Sequence, residues 1–253
     1  WVAWELLPGG YVVGSDLAAR DLVLDFATMP TRADLARQIT AASQALHARG
    51  WVANHDGNVS ARLGAGRFLV TPTAVSKADV TEGGLAVADA SGAVAAGEGK
   101  PPSEFALHLG AYAEREDVQA VVHAHPPYAT ALACAGHGID VFLAEAVISL
   151  GAKVPITTFA LPFGSEGAAP IRALIGGCDA LLLCRHGVLT VGPSVELALL
   201  RMELVEHLAR ILTLAMPAGG VRPLPPEVIA PLLAKRRAAA SLLGAAAARD
   251  GLE

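Results

Sequence analysis

The chain has 253 residues, a formal charge of −5, and 53% hydrophobic and 17% charged residues. This size suits one compact domain with a short extension. The negative charge excludes a basic nucleic-acid surface. No apolar stretch approaches the roughly 20 residues of a membrane span. Three cysteines without the spacing of a disulfide framework favour a reducing environment, so we expect a cytoplasmic protein.

The apolar pattern predicts an N-terminal arm followed by one α/β domain. Residues 1–30 have weak periodicity and several helix breakers, so we interpret them as the arm and residues 31–253 as the domain. Within the domain, the predicted elements are a helix over 31–50, strands over 59–62 and 67–71, a helix through 105–112 capped by Ser103, a strand over 120–125, helices over 128–136 and 168–175, strands over 180–184 and 188–192, and helices over 195–216 and from 227. Leucines at helical spacing predict the core-facing side of the helix over 195–216.

Two histidines close the strand over 120–125, in the motif His123-Ala124-His125. Alternate residues of a strand point to the same face, so both imidazoles could bind one metal ion. His186 follows the strand over 180–184 and could complete a three-histidine set with open coordination positions, which is typical of catalytic zinc. Another divalent transition metal would accept the same ligands. The alternative is a core His-x-His pair held by hydrogen bonds, with His186 an isolated turn residue.

Glu104, at the start of a helix, is the candidate for acid–base chemistry. Its carboxylate could bind a metal in the empty site and act as a base once substrate displaces it. The alternative is a glutamate that interacts only with the helix dipole. His108 follows on the same helix face and is interpreted as exposed or as a neighbour of the site. The turns at Gly57-Asn58 and at 71–74 suit an anionic oxygen, although Asp-Gly-Asn is also an ordinary turn sequence.

Taken in chain order, these motifs resemble the class II aldolase/adducin family. The resemblance covers roughly residues 31–215 and rests on Gly57-Asn58-Val59-Ser60, Thr71-Pro72-Thr73, Ser103-Glu104, His123-Ala124-His125 and Arg185-His186-Gly187. It implies a three-layer α/β/α fold with a central, mainly antiparallel nine-stranded sheet. It also implies a homotetramer with active sites between subunits. The most similar enzyme type is L-fuculose-phosphate aldolase.

The resemblance implies a zinc-dependent lyase of carbohydrate metabolism. By position, His123, His125 and His186 match the family's zinc ligands, Glu104 matches its catalytic glutamate, and Gly57, Asn58, Thr73 and Ser103 match positions that hold the substrate phosphate. The implied reaction is retro-aldol cleavage of a small ketose 1-phosphate, or a related hydroxyketone, to dihydroxyacetone phosphate and an aldehyde. Zinc would stabilise the enediolate that forms.

Three departures from the family pattern leave other reactions open. Ala74 replaces a glycine that helps to bind phosphate, Pro102 replaces a serine, and no tyrosine lies near residues 143–145, where these aldolases place the acid for the leaving aldehyde. Glu145 or Tyr128 would be a substitute acid. The same scaffold also hosts decarboxylases, dehydratases and sugar-phosphate epimerases. A non-catalytic module like the adducin head domain would lack the metal histidines, which this chain has.

Overall fold

Helices and strands alternate in the computed structural model, which describes residues 30–96 and 99–249. The helices are α1 (Arg32–Ala48), α2 (Phe105–Glu114), α3 (Pro127–Ala135), α4 (Ala144–Leu150), α5 (Gly164–Ile175), α6 (Val195–Ala215) and α7 (Pro226–Arg249). The strands are β1 (Asn58–Gly64), β2 (Arg67–Val70), β3 (Ala86–Asp89), β4 (Val94–Ala96), β5 (Ala120–Ala124), β6 (Ile139–Asp140), β7 (Lys153–Val154), β8 (Ala180–Leu183) and β9 (Gly187–Gly192). Apart from Pro30, the predicted arm lies outside the described residues.

Within the described ranges, seven strands form an antiparallel sheet in the order β4-β3-β2-β1-β5-β9-β8, while β6 and β7 pair only with each other. The expected nine-stranded central sheet is therefore wrong for the described part of the chain, although the α/β class and the antiparallel pairing are confirmed. The β6–β7 ribbon touches the sheet edge through one isolated bridge, between Ile156 and Leu182. Pro155 precedes that bridge and has no N–H to donate, so regular pairing with β8 does not extend along the ribbon.

Side chains alternate along the strands and enter two cores, one on each face of the sheet. On one face, Val122 and Leu182 belong to a core built with α1, α3, α4 and α6. On the other, Val121 and Leu189 belong to a core built with α2 and α5. Helices thus cover both faces, which is the predicted three-layer arrangement. No helix within the described ranges is both long enough and apolar enough to cross a membrane.

Asp179 is a buried carboxylate that joins three helical segments at one end of the sheet. Nη1 of Arg115, just after α2, lies 2.5 Å from its Oδ1, and Nη2 of Arg201, on α6, lies 2.7 Å from its Oδ2. Arg236 of α7 also pairs with Oδ2 and donates to the carbonyl oxygens of Ile148 and Ser149. This one carboxylate therefore anchors α7 to the body of the domain.

We expect Asp179→Asn to lower the free energy of unfolding by about 3–5 kcal/mol, because it leaves partly buried guanidinium groups without their counter-charge. Asp117→Asn is the matched control, since Asp117 also pairs with Arg115 but its side chain is 67% exposed. The control should lose no more than about 1 kcal/mol. Urea unfolding of the three proteins measures both values, and equal losses in the two variants would contradict the assigned role of Asp179.

Candidate metal and active site

The sheet brings the three predicted metal histidines to one edge. β5 and β8 both pair with β9, so His123 in β5, His125 just beyond it and His186 in the β8–β9 turn become neighbours. Nε2 of His123 lies 3.2 Å from Nε2 of His125. One ring nitrogen from each of the three histidines lies within 4.8 Å of the others. The three imidazoles therefore converge on one point, as a metal site requires.

The protonation states of His123 and His125 suit metal binding. Nδ1 of His123 donates to the carbonyl oxygen of Val188 at 2.8 Å, which leaves the lone pair of Nε2 directed at the cluster. Burial lowers the pKa of His123 and of His125, and charge on His186 lowers the latter further. Imidazoles kept neutral at physiological pH are competent ligands, so the donor set fits a divalent metal ion.

The carboxylate of Glu104 faces the same cluster. Its Oε1 lies 2.9 Å from Nε2 of His186, and its Oε2 lies 3.5 Å from Nε2 of His123. Asn58 donates from Nδ2 to Oε2 at 3.0 Å. Burial raises the pKa of Glu104, but His123, His186 and Asn58 lower it by more. Glu104 is therefore ionised at neutral pH, as a general base must be.

The start of α2 differs from the prediction. Glu104, not Ser103, is the N-cap residue, and its side chain makes no hydrogen bond to the helix backbone. Phe105 instead donates its N–H to the carbonyl oxygen of Pro102 at 3.0 Å, which forms a turn ahead of the helix and leaves Ser103 exposed. Because its carboxylate is directed at the histidines and not at the helix N–H groups, Glu104 does more than complement the helix dipole.

The Gly57-Asn58 turn lies directly beneath the cluster. Gly57 has a φ of +71°, and a Cβ there would come within 2.5 Å of Cγ1 of Val52 and 3.0 Å of the carbonyl oxygen of His123. Only glycine allows this close approach. Asn58 is 2% exposed, and both polar atoms of its amide are engaged, with Glu104 and with His108. In this structure Asn58 holds the carboxylate.

In the second predicted anion-binding turn, Thr71 and Pro72 are buried, whereas Thr73 and Ala74 are exposed. Thr73 is exposed, and its N–H donates to the carbonyl oxygen of Lys100 at 2.9 Å. Ala74 has a φ of +57°, in the left-handed region that favours glycine. The backbone at Ala74 therefore has the conformation that suits the glycine of the family pattern, although the residue differs.

Lys77 is a buried cation that the sequence reading missed. Its Nζ donates to the carbonyl oxygens of His55 at 3.1 Å and of Val75 at 2.8 Å. Burial lowers the pKa of Lys77, whereas Asp56 and Glu104 raise it. The ammonium group ties the loop before Asn58 to the loop after Thr73. A single lysine between polar loops carries no pattern by which it could have been recognised.

Neither substitute acid lies beside Glu104. Glu145 is exposed on α4. The ring of Tyr128 packs against the core on the α6 side of the sheet, where the guanidinium carbon of Arg210 lies 5.8 Å from its centre. Glu104 and His123 face the opposite side of the sheet. Tyr128 and Glu145 are therefore absent from the contacts of Glu104 in the described structure.

Gly187 gives a test of how closely the cluster is packed. A Cβ at this position would lie 2.5 Å from Cδ2 of His125 and 2.6 Å from the carbonyl oxygen of Ala124. We expect Gly187→Ala to displace His125 and to weaken metal binding by about 10–100-fold, measured by competition with a chelating dye. Gly176→Ala is the control, because a Cβ there meets no atom of the described residues within 4 Å. Equal affinities in both variants would show that His125 does not depend on this packing.

His108 is fully buried, which decides between the two interpretations of it. Burial lowers its pKa to about 3 from the ordinary 6.5, against a smaller opposite effect of Glu104. Between these values the unfolded chain binds an additional proton, so the free energy of unfolding falls as the pH decreases below about 6.5. The expected loss is on the order of 3 kcal/mol by pH 4. Urea unfolding of metal-free protein at pH 7 and pH 4 should show a smaller loss for His108→Gln. Equal losses would contradict a buried neutral imidazole.

Comparison with known proteins agrees with this fold and site. The family model described as Class II Aldolase and Adducin N-terminal domain matches residues 37–213. This match spans more than half of the chain, and the chain therefore belongs to the class II aldolase/adducin family. Class II aldolases typically depend on a divalent metal ion, and His123, His125 and His186 could hold one.

Individual relatives carry out more than one reaction. A 5-methylthioribulose-1-phosphate/5-deoxyribulose-1-phosphate aldolase of Rhodospirillum rubrum is 35% identical over 165 residues, which cover 64% of this chain and 74% of the relative. A 3-oxo-tetronate 4-phosphate decarboxylase of Haemophilus influenzae is 32% identical over 175 residues, or 66% of this chain and 81% of the relative. A solved L-fuculose 1-phosphate aldolase superposes with a TM-score of 0.75 at 28% identity, over 81% of this chain and 96% of that one. The resemblance to fuculose-phosphate aldolases is thereby confirmed.

Proposed function

We propose that this chain is a zinc-dependent lyase that cleaves a small ketose 1-phosphate to dihydroxyacetone phosphate and an aldehyde. The observation that carries the proposal is the ionised Glu104 carboxylate, whose Oε1 lies 2.9 Å from Nε2 of a candidate metal ligand, His186. A base beside an electrophilic ion is the combination that proton transfer next to a carbonyl needs. The related aldolases add support through the phosphorylated ketoses in their names.

In this proposal His123, His125 and His186 would hold the ion, which when bound acts as a Lewis acid toward substrate oxygens. The bond between C3 and C4 of the ketose breaks, and its electron pair remains on C3 as the substrate becomes the enediolate of dihydroxyacetone phosphate. The ionised Glu104 carboxylate would accept the proton of the C4 hydroxyl as the aldehyde forms. Glu104 then returns a proton to C3 and, in the reverse direction, removes it. Asn58 holds the carboxylate by its hydrogen bond during both transfers.

Release of dihydroxyacetone phosphate tests the proposal. We expect the zinc-loaded protein to release it from at least one of a panel of ketose 1-phosphates, including fuculose 1-phosphate and 5-deoxyribulose 1-phosphate. A chelator should stop the release, and added zinc should restore it. Repeating the restoration with manganese and cobalt ranks the metals. Protein that holds one zinc per chain and cleaves no member of the panel would refute the aldolase.

Decarboxylation is the second candidate, favoured by the relative from Haemophilus influenzae. Loss of carbon dioxide from a 3-oxo-tetronate 4-phosphate leaves the same three-carbon enediolate, and Glu104 would take a proton from water and deliver it to the same carbon. The two activities therefore differ in the leaving fragment and not in the base. Carbon dioxide release from 3-oxo-tetronate 4-phosphate, measured beside the ketose panel, separates them. Dehydration and epimerisation would give neither carbon dioxide nor dihydroxyacetone phosphate.

The proposal includes a homotetramer with active sites between subunits. Its support in this chain is an apolar segment beside the site, in which Phe159, Leu161 and Phe163 are each 57–58% exposed. The guanidinium carbon of Arg185, next to His186, lies 5.9 Å from the centre of the Phe159 ring. Exposed large apolar groups this close together mark interaction surfaces. Sedimentation should show a tetramer that dissociates when Phe159 is replaced by aspartate, and a monomeric wild type would refute it.

A further inference from the structure

Behind Glu104 runs a chain of buried hydrogen bonds that the proposed reaction does not use. Asn58 Oδ1 lies 2.6 Å from Nε2 of His108, and Nδ1 of His108 lies 2.7 Å from Oγ of Ser60. Oγ of Ser60 in turn lies 2.9 Å from the hydroxyl of Tyr112. Asn58, Ser60, His108 and Tyr112 are all buried. These hydrogen bonds therefore lead from the candidate base into the core built with α2 and α5, without contact with solvent.

The regular spacing of side chains along β1 and along α2 explains this series of hydrogen bonds. Asn58 and Ser60 are two residues apart in β1 and point to the same face, about 7 Å apart. Glu104, His108 and Tyr112 recur at four-residue spacing along one side of α2, about 6 Å apart. The distance between successive side chains is therefore nearly the same along β1 as along α2. Because α2 packs along β1, each helix side chain lies level with a strand side chain. The alternating order of the hydrogen bonds follows directly.

The orientation of the Asn58 amide sets the direction of every hydrogen bond. Its Nδ2 donates to Glu104, so its Oδ1 accepts a hydrogen bond from Nε2–H of His108. A neutral imidazole with its hydrogen on Nε2 has a lone pair on Nδ1, which accepts from the hydroxyl of Ser60. Ser60 then accepts from the hydroxyl of Tyr112. Each group donates once, and all donate toward Glu104.

We propose that His108 is a positioning residue, which fixes the amide of Asn58 and, through it, the orientation of the Glu104 carboxylate. The inference rests on the proposed function only in taking Glu104 as the base. Without His108 the amide of Asn58 could rotate, and its carbonyl oxygen could then face the carboxylate. The proposal makes two separate demands. His108 must carry its hydrogen on Nε2, and the rate of proton transfer at Glu104 must depend on His108.

The first demand is tested by ¹⁵N NMR of histidine-labelled protein, without any substrate. We expect Nε2 of His108 to give a pyrrole-type signal and Nδ1 a pyridine-type signal between pH 5 and pH 8. His108→Gln assigns the signals by their loss. A hydrogen on Nδ1, or a doubly protonated ring, would overturn the proposal because either would reverse a hydrogen bond in the chain.

The second demand is tested by exchange of a carbon-bound hydrogen of dihydroxyacetone phosphate with deuterium oxide, which reports proton transfer at the base alone. His108→Leu should slow exchange by about 10–100-fold at unchanged metal content, and His108→Gln, which keeps one donor and one acceptor, should recover most of it. Leu107→Val is the control, since Leu107 is buried on the same helix but has an apolar side chain that is not part of the series of hydrogen bonds. Equal rates for His108→Leu and His108→Gln, or equal slowing by Leu107→Val, would overturn the positioning role.

The two tests separate the failure of this inference from the failure of the proposed function. A wild-type protein that gives the expected NMR signals and exchanges no hydrogen would refute the base role of Glu104, and with it the positioning of a base. A wild-type protein that exchanges a hydrogen of dihydroxyacetone phosphate, but in which His108 is protonated on Nδ1, would refute only the inferred series of hydrogen bonds. Thermal unfolding of each variant reports how much folded protein contributes to the measured rates.

Discussion

Glu104→Gln is expected to keep its metal ion and to lose turnover by about 10²–10⁴-fold, the usual contribution of a general acid–base group. Glutamine matches the shape of glutamate but has no basic oxygen to remove or return a proton. The three histidines that would hold the metal remain in place, since β5 and the β8–β9 turn position them independently of α2. The measurements are kcat on the best substrate of the panel and metal content by mass spectrometry.

Glu145→Gln provides the matched control, because Glu145 is an exposed glutamate of α4. It should retain full turnover. A Glu104→Gln variant with near-wild-type kcat would reduce Glu104 to a carboxylate that merely neighbours the histidines. Loss of metal together with turnover would instead make Glu104 a metal ligand in the resting protein.

His125→Ala is expected to lower the bound metal to a small fraction of one ion per chain and to abolish turnover. A catalytic zinc site has three protein ligands, and removing one leaves two imidazoles that cannot retain the ion. The fold should survive, because the side chain of His125 is 23% exposed and lies beyond the end of β5. Its backbone N–H, which donates to the carbonyl oxygen of Trp51, remains in the variant.

The control is His137→Ala, which changes an exposed histidine outside the cluster. Metal content after dialysis should stay near that of the wild type in this variant and fall only in His125→Ala. The free energy of unfolding of both, measured with chelator present, should remain within about 1 kcal/mol of the wild type. Unchanged metal occupancy in His125→Ala would remove the cluster from consideration as the metal site.

Local patterns with a clear physical cause were predicted well. Thr31 accepts a hydrogen bond from the N–H of Asp34, and Asp34 accepts one from the N–H of Thr31, so α1 begins where its capping sequence indicates. The strand-end positions of His123 and His125 were likewise readable from a period of two. The convergence of His186 with this pair depends on strand order, so the sequence alone supported only the hypothesis that His186 completes the set, and the family resemblance then matched it to a zinc ligand.

Features set by tertiary packing were predicted less well. On α6 the leucine stripe suggested the buried side, but Leu200 is 47% exposed while Ala198 and Met202 are fully buried. A Cβ at Gly192 would lie 2.9 Å from the backbone nitrogen of Ala198, so the helix lies very close to β9 and small or flexible residues face the sheet. Helical spacing alone cannot distinguish two apolar faces of one helix.

The hydrogen bonds behind Glu104 are not predicted from the sequence, although the residues that form them lie at regular spacings in it. His108 is predicted on the correct helix face, whereas Tyr112 is predicted only as part of a helix, and Ser60 only as part of a strand and of a family motif. The combination of four-residue spacing in α2 with two-residue spacing in β1 is visible in the sequence. It gains meaning only when the two elements are known to pack side by side, which is a property of the fold.

The most direct test of a metal-dependent proton transfer at Glu104 uses dihydroxyacetone phosphate alone and needs no knowledge of the leaving fragment. Metal-loaded wild-type protein in deuterium oxide should exchange one carbon-bound hydrogen, observed by ¹H NMR, and the exchange should stop with chelator and in Glu104→Gln. Exchange that persists in Glu104→Gln, or none from protein holding a full complement of metal, would contradict this account of the site.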